Sequence, residues 1–169
     1  MNEYVILVDD QDNQIGTALK SKVHTDKTPL HRAFSIFLFS EKGKVLVQQR
    51  ALNKVTWPGI WSNSCCGHVS PGESREEAIR RRVEEELGVW IDNLEKVAAY
   101  RYQFEMNGIY ENEICPVYKG VVADKVKPDL TEIEDYKWMD WKTFIDELTK
   151  DTRGLWSPWC KEEVGLFTA

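Results

Sequence analysis

The chain has 169 residues, 42% of them hydrophobic, which suits one core without a disulfide or metal staple; its formal net charge is −6. Such a surface repels nucleic acid and anionic membrane, so an anionic ligand needs a local Lys/Arg cluster or a metal ion. No apolar run approaches a membrane span, Met1-Asn2-Glu3-Tyr4 does not open a signal peptide, and Cys65, Cys66, Cys115 and Cys160 match no Zn-ribbon or CxxC spacing, so a cytoplasmic protein with reduced thiols is expected.

In chain order, Tyr4 to Val8 is a short apolar run closed by Asp9-Asp10, and Ile15 to Leu19 can return beside it as a second strand. Residues 20–32 show little periodicity and read as loop. Ala33 to Phe39 is nearly continuous apolar sequence, and Glu41-Lys42-Gly43-Lys44 turns it into a strand at Val45 to Gln49. Residues 51–64, with Trp57-Pro58-Gly59 and Trp61, read as irregular. Ser74 to Leu87 is the clearest helix: Ser74 and Glu77 form a capping-box pair, and Gly88 stands at the C-cap. A strand around Val97 to Glu105 is joined by Asn107-Gly108, a strong hairpin signal, to a strand around Ile109 to Val122. Asp135 to Asp140 reads as a further strand, Trp141 to Thr149 as a helix, and Trp159 to Phe167 as a weaker one. Trp90, Trp138, Trp141 and Cys160 read as ordinary core residues. Strand pairs around an isolated helix predict a mixed α/β (α+β) sandwich, in one domain over residues 1–169.

Two patterns carry chemistry. On the 74–87 helix, Ile79, Val83 and Leu87 form the buried stripe, and at about 100° per residue Glu86 falls on the same arc, while Glu77 and Glu84 face away. An inward Glu86 is either paired with Arg82 or a metal-binding carboxylate. On the strand Tyr110 to Cys115, Glu111 and Glu113 project to one side. They belong either to a solvated edge or to a pair held by a cation. The three histidines, His24, His31 and His68, together with these carboxylates would satisfy a transition-metal site for Mn²⁺, Zn²⁺ or Fe²⁺. A two-residue turn at Asn107-Gly108 pairs Met106 with Ile109 and sets Tyr102 opposite Glu113, a workable acid–base pair.

Gly67, Glu73, Arg81, Glu85, Glu86 and Gly88 resemble the Nudix box, which presents carboxylates to a divalent cation carrying a diphosphate. One position departs: Arg82 stands where a glutamate follows the box arginine, which removes a metal ligand and adds a phosphate-binding fork. The departure argues for a diphosphate kept as a handle rather than cleaved. Trp57-Pro58-Gly59-x-Trp61, Asn63-Ser64-x-Cys66-Gly67-His68, Tyr100-Arg101-Tyr102, Glu111-Asn112-Glu113-x-Cys115-Pro116-Val117 and Ser157-Pro158-Trp159 further resemble type I isopentenyl-diphosphate isomerases, over nearly the whole chain. The resemblance implies a Nudix-like mixed sheet flanked by helices, and an enzyme that converts isopentenyl to dimethylallyl diphosphate by protonation and deprotonation. It implies that Glu113, aided by Tyr102, and Cys66 are the proton-transfer groups on opposite faces of the substrate, with Trp159 against the developing cation. Lys20, Arg50, Lys54 and Arg82 match phosphate-binding positions. His24, His31, His68, Glu111 and Glu113 match the ligands of one transition metal ion, and Glu86 with the Cys66 carbonyl matches a Mg²⁺ site. The implied partner is a small diphosphate, with no nucleic acid or membrane, and a monomer or weak homodimer is expected.

Overall fold

A computed structural model describes residues 2–168. The chain runs β1 (Tyr4–Val8), β2 (Gln14–Leu19), α1 (Lys20–Val23), β3 (His31–Ser40), β4 (Val45–Arg50), β5 (Trp61–Ser62), β6 (Cys65–His68) and α2 (Arg75–Leu87). It continues as β7 (Asp92–Ala98), β8 (Arg101–Met106), β9 (Ile109–Ile114), β10 (Val117–Val122), β11 (Ile133–Met139), α3 (Trp141–Lys150), α4 (Pro158–Glu163) and a 3₁₀ turn at Val164–Thr168.

β3 organises the molecule. It is buried almost throughout because both of its faces are covered. Phe34, Ile36 and Leu38 pack in one core with Ile79, Val83 and Leu87 of α2. Ala33 and Phe37 pack in a second core with Phe144 and Leu148 of α3 and with Trp159 and Cys160 of α4. This is the mixed sheet flanked by helices that the pattern predicts. Two pairings of β3 and one hairpin place chemistry. His31 lies opposite Glu113 of β9 in parallel register. β6 runs antiparallel to β3, with Cys66 opposite Ser35 and His68 opposite Ala33. The β8–β9 hairpin puts Tyr102 opposite Glu113 and Met106 opposite Ile109, the register expected of its turn. Asn107 and Gly108 both have positive φ, as a type I′ turn requires.

α2 begins at a complete capping box on Ser74 and Glu77 and ends at Gly88, which is left-handed with φ 63°. A Cβ on Gly88 would stand 3.0 Å from Lys127 Cβ and 3.2 Å from the Lys127 carbonyl oxygen. Gly88→Ala therefore meets backbone strain and a crowded neighbour together, and is expected to lower stability by about 1–2 kcal/mol. Urea unfolding reads this as a lower midpoint at unchanged m-value; an unchanged midpoint contradicts it. Gly67 serves packing, since a Cβ there would lie 2.9 Å from the Phe34 ring and 3.1 Å from Arg82 Cγ.

Several expectations need correction. The 20–32 segment contains α1, and the irregular 51–64 segment contains β5. β6 has no apolar alternation of its own and is a strand through its pairing with β3. The strand expected around Val97 to Glu105 is two, β7 and β8, and that around Ile109 to Val122 is β9 and β10, parted at Cys115-Pro116. Pro116 lacks the amide a continuous ladder needs. The weak C-terminal helix is α4 alone, which starts at Pro158 and passes into the 3₁₀ turn. Trp90 is not a core residue but is 73% exposed. Trp138 and Trp141 are half-buried, and Cys160 is buried as expected.

Candidate active site

A cavity of about 460 Å³ opens where the N-terminal hairpin, the end of β4, β6, α2 and the β8–β9 hairpin meet. Lys20, His24, Arg50, Lys54, Cys66, His68, Arg82, Glu86, Tyr102, Glu111, Glu113 and Trp159 all line it. His31, fully buried, is held against this wall by its contacts with His68 and Glu113. Residues far apart in sequence thus share one chamber.

His24, His31, His68 and Glu113 each offer a ligand atom, all within 4.8 Å of one another. His31 Nδ1 donates to the Pro29 carbonyl, 2.9 Å away, which can only accept; its Nε2 therefore faces inward. There it meets His68 Nε2 at 3.2 Å and Glu113 Oε1 at 3.3 Å, while His68 Nε2 lies 3.0 Å from the same oxygen. Adjacent ligands on an ion with metal–nitrogen bonds of about 2.1 Å stand roughly 3.0–3.4 Å apart, so this spacing suits a shared cation. His24 Nε2 is buried without a hydrogen-bond partner among the described residues. Burial, then the neighbouring histidines, push its pKa down to about 3, so it offers a neutral imidazole. For His31, burial pushes down but the Glu113 hydrogen bond and charge outweigh it. Burial holds His68 low. Burial pushes Glu113 up, but the hydrogen bonds from His31 and His68 carry it well below the usual carboxylate range. The donor set of imidazoles and a carboxylate fits a divalent transition ion.

Glu111 and Glu113 are 6% and 5% exposed, so the solvated-edge alternative is excluded. Both accept from the Tyr102 hydroxyl, at 3.1 Å and 2.7 Å. Glu111 also accepts from Thr56 Oγ1 at 2.6 Å and stands outside the four-residue group; to join it, the carboxylate must turn from these partners. Burial, then the Glu113 charge, push Glu111 up. The same burial, with Glu111 and Glu113, pushes the Tyr102 phenol well up, so it stays a hydrogen-bond donor.

Glu86 points inward as its helical position predicts, and the Arg82 pairing is present. Its carboxylate pairs with Arg82, meets Gln48 Nε2 on the cavity wall and accepts from the buried Cys65 Sγ behind it. Arg82 further reaches Glu85 at 3.1 Å and Glu132 at 3.3 Å. Lys54 pairs with Glu132, and Lys20 with Glu3 at 2.6 Å. The Arg50 guanidinium donates to the carbonyls of Trp57 and Thr56, and lies 5.8 Å from the Trp159 ring centroid. Four cations (Lys20, Arg50, Lys54, Arg82) face five carboxylates (Glu3, Glu86, Glu111, Glu113, Glu132) around the cavity. The wall is therefore no simple anion trap, and a diphosphate needs divalent cations to enter it favourably.

The apolar end holds Trp159, nearly parallel to Tyr102 at 5.9 Å and edge-on to Trp57 at 5.3 Å. Its indole nitrogen donates to Ser62 Oγ, which fixes the ring plane. Cys66 lines the cavity with its sulfur 3.2 Å from Asn63 Oδ1 and 3.6 Å from Ser35 Oγ. Burial, then the Glu163 charge, push this thiol well above its usual value.

The NUDIX domain family matches residues 29–160. The isopentenyl-diphosphate Delta-isomerase of Mycolicibacterium vanbaalenii is 44% identical over 169 residues, covering 99% of this chain and 92% of its own length. That of Klebsiella pneumoniae is 46% identical over 159 residues, covering 93% and 86%. The chain belongs to the isopentenyl-diphosphate Delta-isomerase family. Solved structures agree on the fold: a Deinococcus radiodurans protein aligns with TM-score 0.76 at 20% identity, covering 96% of this chain and 98% of its own. The MutT NUDIX hydrolase of Burkholderia pseudomallei aligns with TM-score 0.64 at 19% identity, covering 81% and 97%. NUDIX domains generally work with a divalent metal, which accords with the histidine–glutamate group.

Seen as an isomerase-family site, the cavity and the layer behind it contain side chains that sequence reasoning passed over. Gln48 and Thr56 hold Glu86 and Glu111, Glu132 bridges Lys54 and Arg82, and Glu163 reaches Ser35 behind Cys66. Asn63 could have been found, because it stands in the same motif as Cys66. No local pattern marks the others; tertiary contact alone reveals them.

Proposed function

We propose that this chain interconverts isopentenyl and dimethylallyl diphosphate by moving a proton on at one carbon and off at another. The observation that carries the reading is the presence of Cys66 and the Glu113–Tyr102 pair on the wall of one cavity, beside an indole face and a cationic rim. The Glu113–Tyr102 pair, in which the phenol carries the proton, delivers it to the terminal alkene, and Cys66, acting as its thiolate, takes the proton from the neighbouring carbon. Trp159 lies against the tertiary cationic centre between these events, a contact of about 2 kcal/mol in a dry site. Ser62 holds the indole in place.

Lys20, Arg50, Lys54 and Arg82 bind and orient the diphosphate. His24, His31, His68 and Glu113, joined by Glu111, would hold one transition ion (Mn²⁺, Zn²⁺ or Fe²⁺), and Glu86 with the Cys66 carbonyl would hold Mg²⁺. Cations bound there would supply charge neutralisation to the anionic substrate. Arg82 favours isomerisation over hydrolysis, since it leaves the box one carboxylate short of a cluster that activates water. The reading takes residues 1–169 as one domain acting in the cytoplasm on a small diphosphate, as a monomer or weak homodimer. Four free cysteines accord with a reducing compartment.

The test is incubation of purified protein with isopentenyl diphosphate and Mg²⁺, followed by NMR. Dimethylallyl diphosphate is the expected product. Released phosphate without isomer would overturn the reading in favour of a hydrolase.

A further inference from the structure

Among the described residues five carboxylates line the cavity, and the proposed function gives three of them, Glu86, Glu111 and Glu113, to metal ions. Of the other two, Glu3 sits on the N-terminal segment with its side chain 63% exposed, whereas that of Glu132 is 28% exposed. Glu132 is also tied down at the backbone. Its carbonyl accepts from Ala51 N at 3.1 Å, and its amide donates to the Asp129 carbonyl at 3.0 Å. The Asp129 amide in turn donates to the Glu86 carbonyl at 2.8 Å. The Glu132 carboxylate is thereby held between the loop that carries Lys54 and the helix that carries Arg82.

One oxygen of Glu132, Oε2, faces both cations: it pairs with Lys54 Nζ and lies 3.3 Å from Arg82 Nη2. Burial pushes the Glu132 pKa up, but the Lys54 hydrogen bond and charge outweigh it, so the group is ionised near neutrality. A phosphate oxygen that reaches Lys54 and Arg82 must displace this carboxylate or lie beside it. In both cases negative charge meets negative charge, in a wall that sets four cations against five carboxylates. The repulsion grows with the charge that the ligand brings. A bare diphosphate brings all of its charge. A diphosphate that carries a divalent cation brings less, and the cation is itself attracted to the carboxylate.

We propose that Glu132 is a specificity-determining residue that makes the cavity select a cation-complexed diphosphate over the bare anion. The proposal rests on the reading of Lys20, Arg50, Lys54 and Arg82 as the diphosphate site. An ion bridge that only held Lys54 against Arg82 would not discriminate, because its loss would weaken both forms of the ligand alike.

The probe is isopentyl diphosphate, a saturated analogue with no alkene to protonate, titrated calorimetrically into the protein with and without Mg²⁺. The wild type should bind it at least about thirtyfold tighter with Mg²⁺. Glu132→Gln keeps a carbonyl oxygen for Lys54 and Arg82 and removes only the charge. It should bind the bare probe about tenfold tighter than the wild type does, and the Mg²⁺ complex to within about threefold. Glu132→Asp keeps the charge and should keep the wild-type preference to within about threefold. So should Glu85→Gln, which takes from Arg82 a partner that does not line the cavity. An unchanged preference in Glu132→Gln, or weaker binding of both forms, would overturn the proposal. Even if Glu132→Gln does not fold, equal affinity of the wild type for the two forms, or loss of the preference in Glu85→Gln, would overturn it. Failure of the wild type to bind either form would remove the diphosphate site and the proposal with it. Product formation from isopentenyl diphosphate decides the isomerase reading separately, since the saturated probe cannot react.

Discussion

Cys66→Ala is expected to lower turnover by about 10³–10⁴-fold while the protein still binds its diphosphate with Mg²⁺ to within about threefold. The expectation follows from position. The thiol lines the cavity with its sulfur against Asn63 and Ser35, and its hydrogen bonds among the described residues do not include Lys20, Arg50, Lys54 or Arg82, the proposed phosphate-binding cations. On the proposed mechanism, alanine removes one of the two proton-transfer groups and leaves the proposed phosphate-binding cations in place. Single-turnover kinetics with isopentenyl diphosphate, paired with calorimetric titration, separates the two effects. A near-native rate would remove the cysteine from the mechanism.

Glu113→Gln should be at least as damaging, by about 10⁴-fold in turnover, because one carboxylate serves two purposes. Its Oε2 accepts from Tyr102 at 2.7 Å, and its Oε1 faces His31 and His68 at 3.3 Å and 3.0 Å. The amide has nearly the same shape but no charge and one oxygen fewer, so it disrupts both the acid pair and the metal group. Elemental analysis of protein purified without added metal should find a transition ion in the wild type and a marked loss in the variant. Full activity in a His24→Ala, His31→Ala protein holding no transition ion would contradict the metal account.

The sequence discloses those parts of the site whose geometry local rules control. Glu86 is inward because 3.6-residue periodicity puts it beside Ile79, and both are buried. Tyr102 lies opposite Glu113 because the two-residue Asn107-Gly108 turn pairs Met106 with Ile109 and so sets the hairpin register. Ser74, Glu77 and Gly88 mark the ends of α2 for equally local reasons. What stays hidden depends on distant chain. β6 carries two cysteines, a glycine and a histidine, so nothing in its pattern says strand until Ser35 and Ala33 are beside it. The pairing of His31 with Glu113 is a parallel contact that joins separate strand systems through β3. Glu132 and Glu163 reach Arg82 and Ser35 only after the C-terminal half has packed, and neither lies in a motif. The break between β7 and β8 likewise escapes prediction, since Tyr100 and Arg101 fit a continuous strand as well as a bend.

The central claim is that hydrogen leaves one carbon and arrives at another while the phosphate ester stays intact. Turnover of isopentenyl diphosphate in D₂O, followed by ¹H and ³¹P NMR, tests it most directly. The account predicts dimethylallyl diphosphate with deuterium in a methyl group and an unchanged diphosphate signal. Inorganic phosphate or a monophosphate ester appearing with no deuterated methyl group would contradict it.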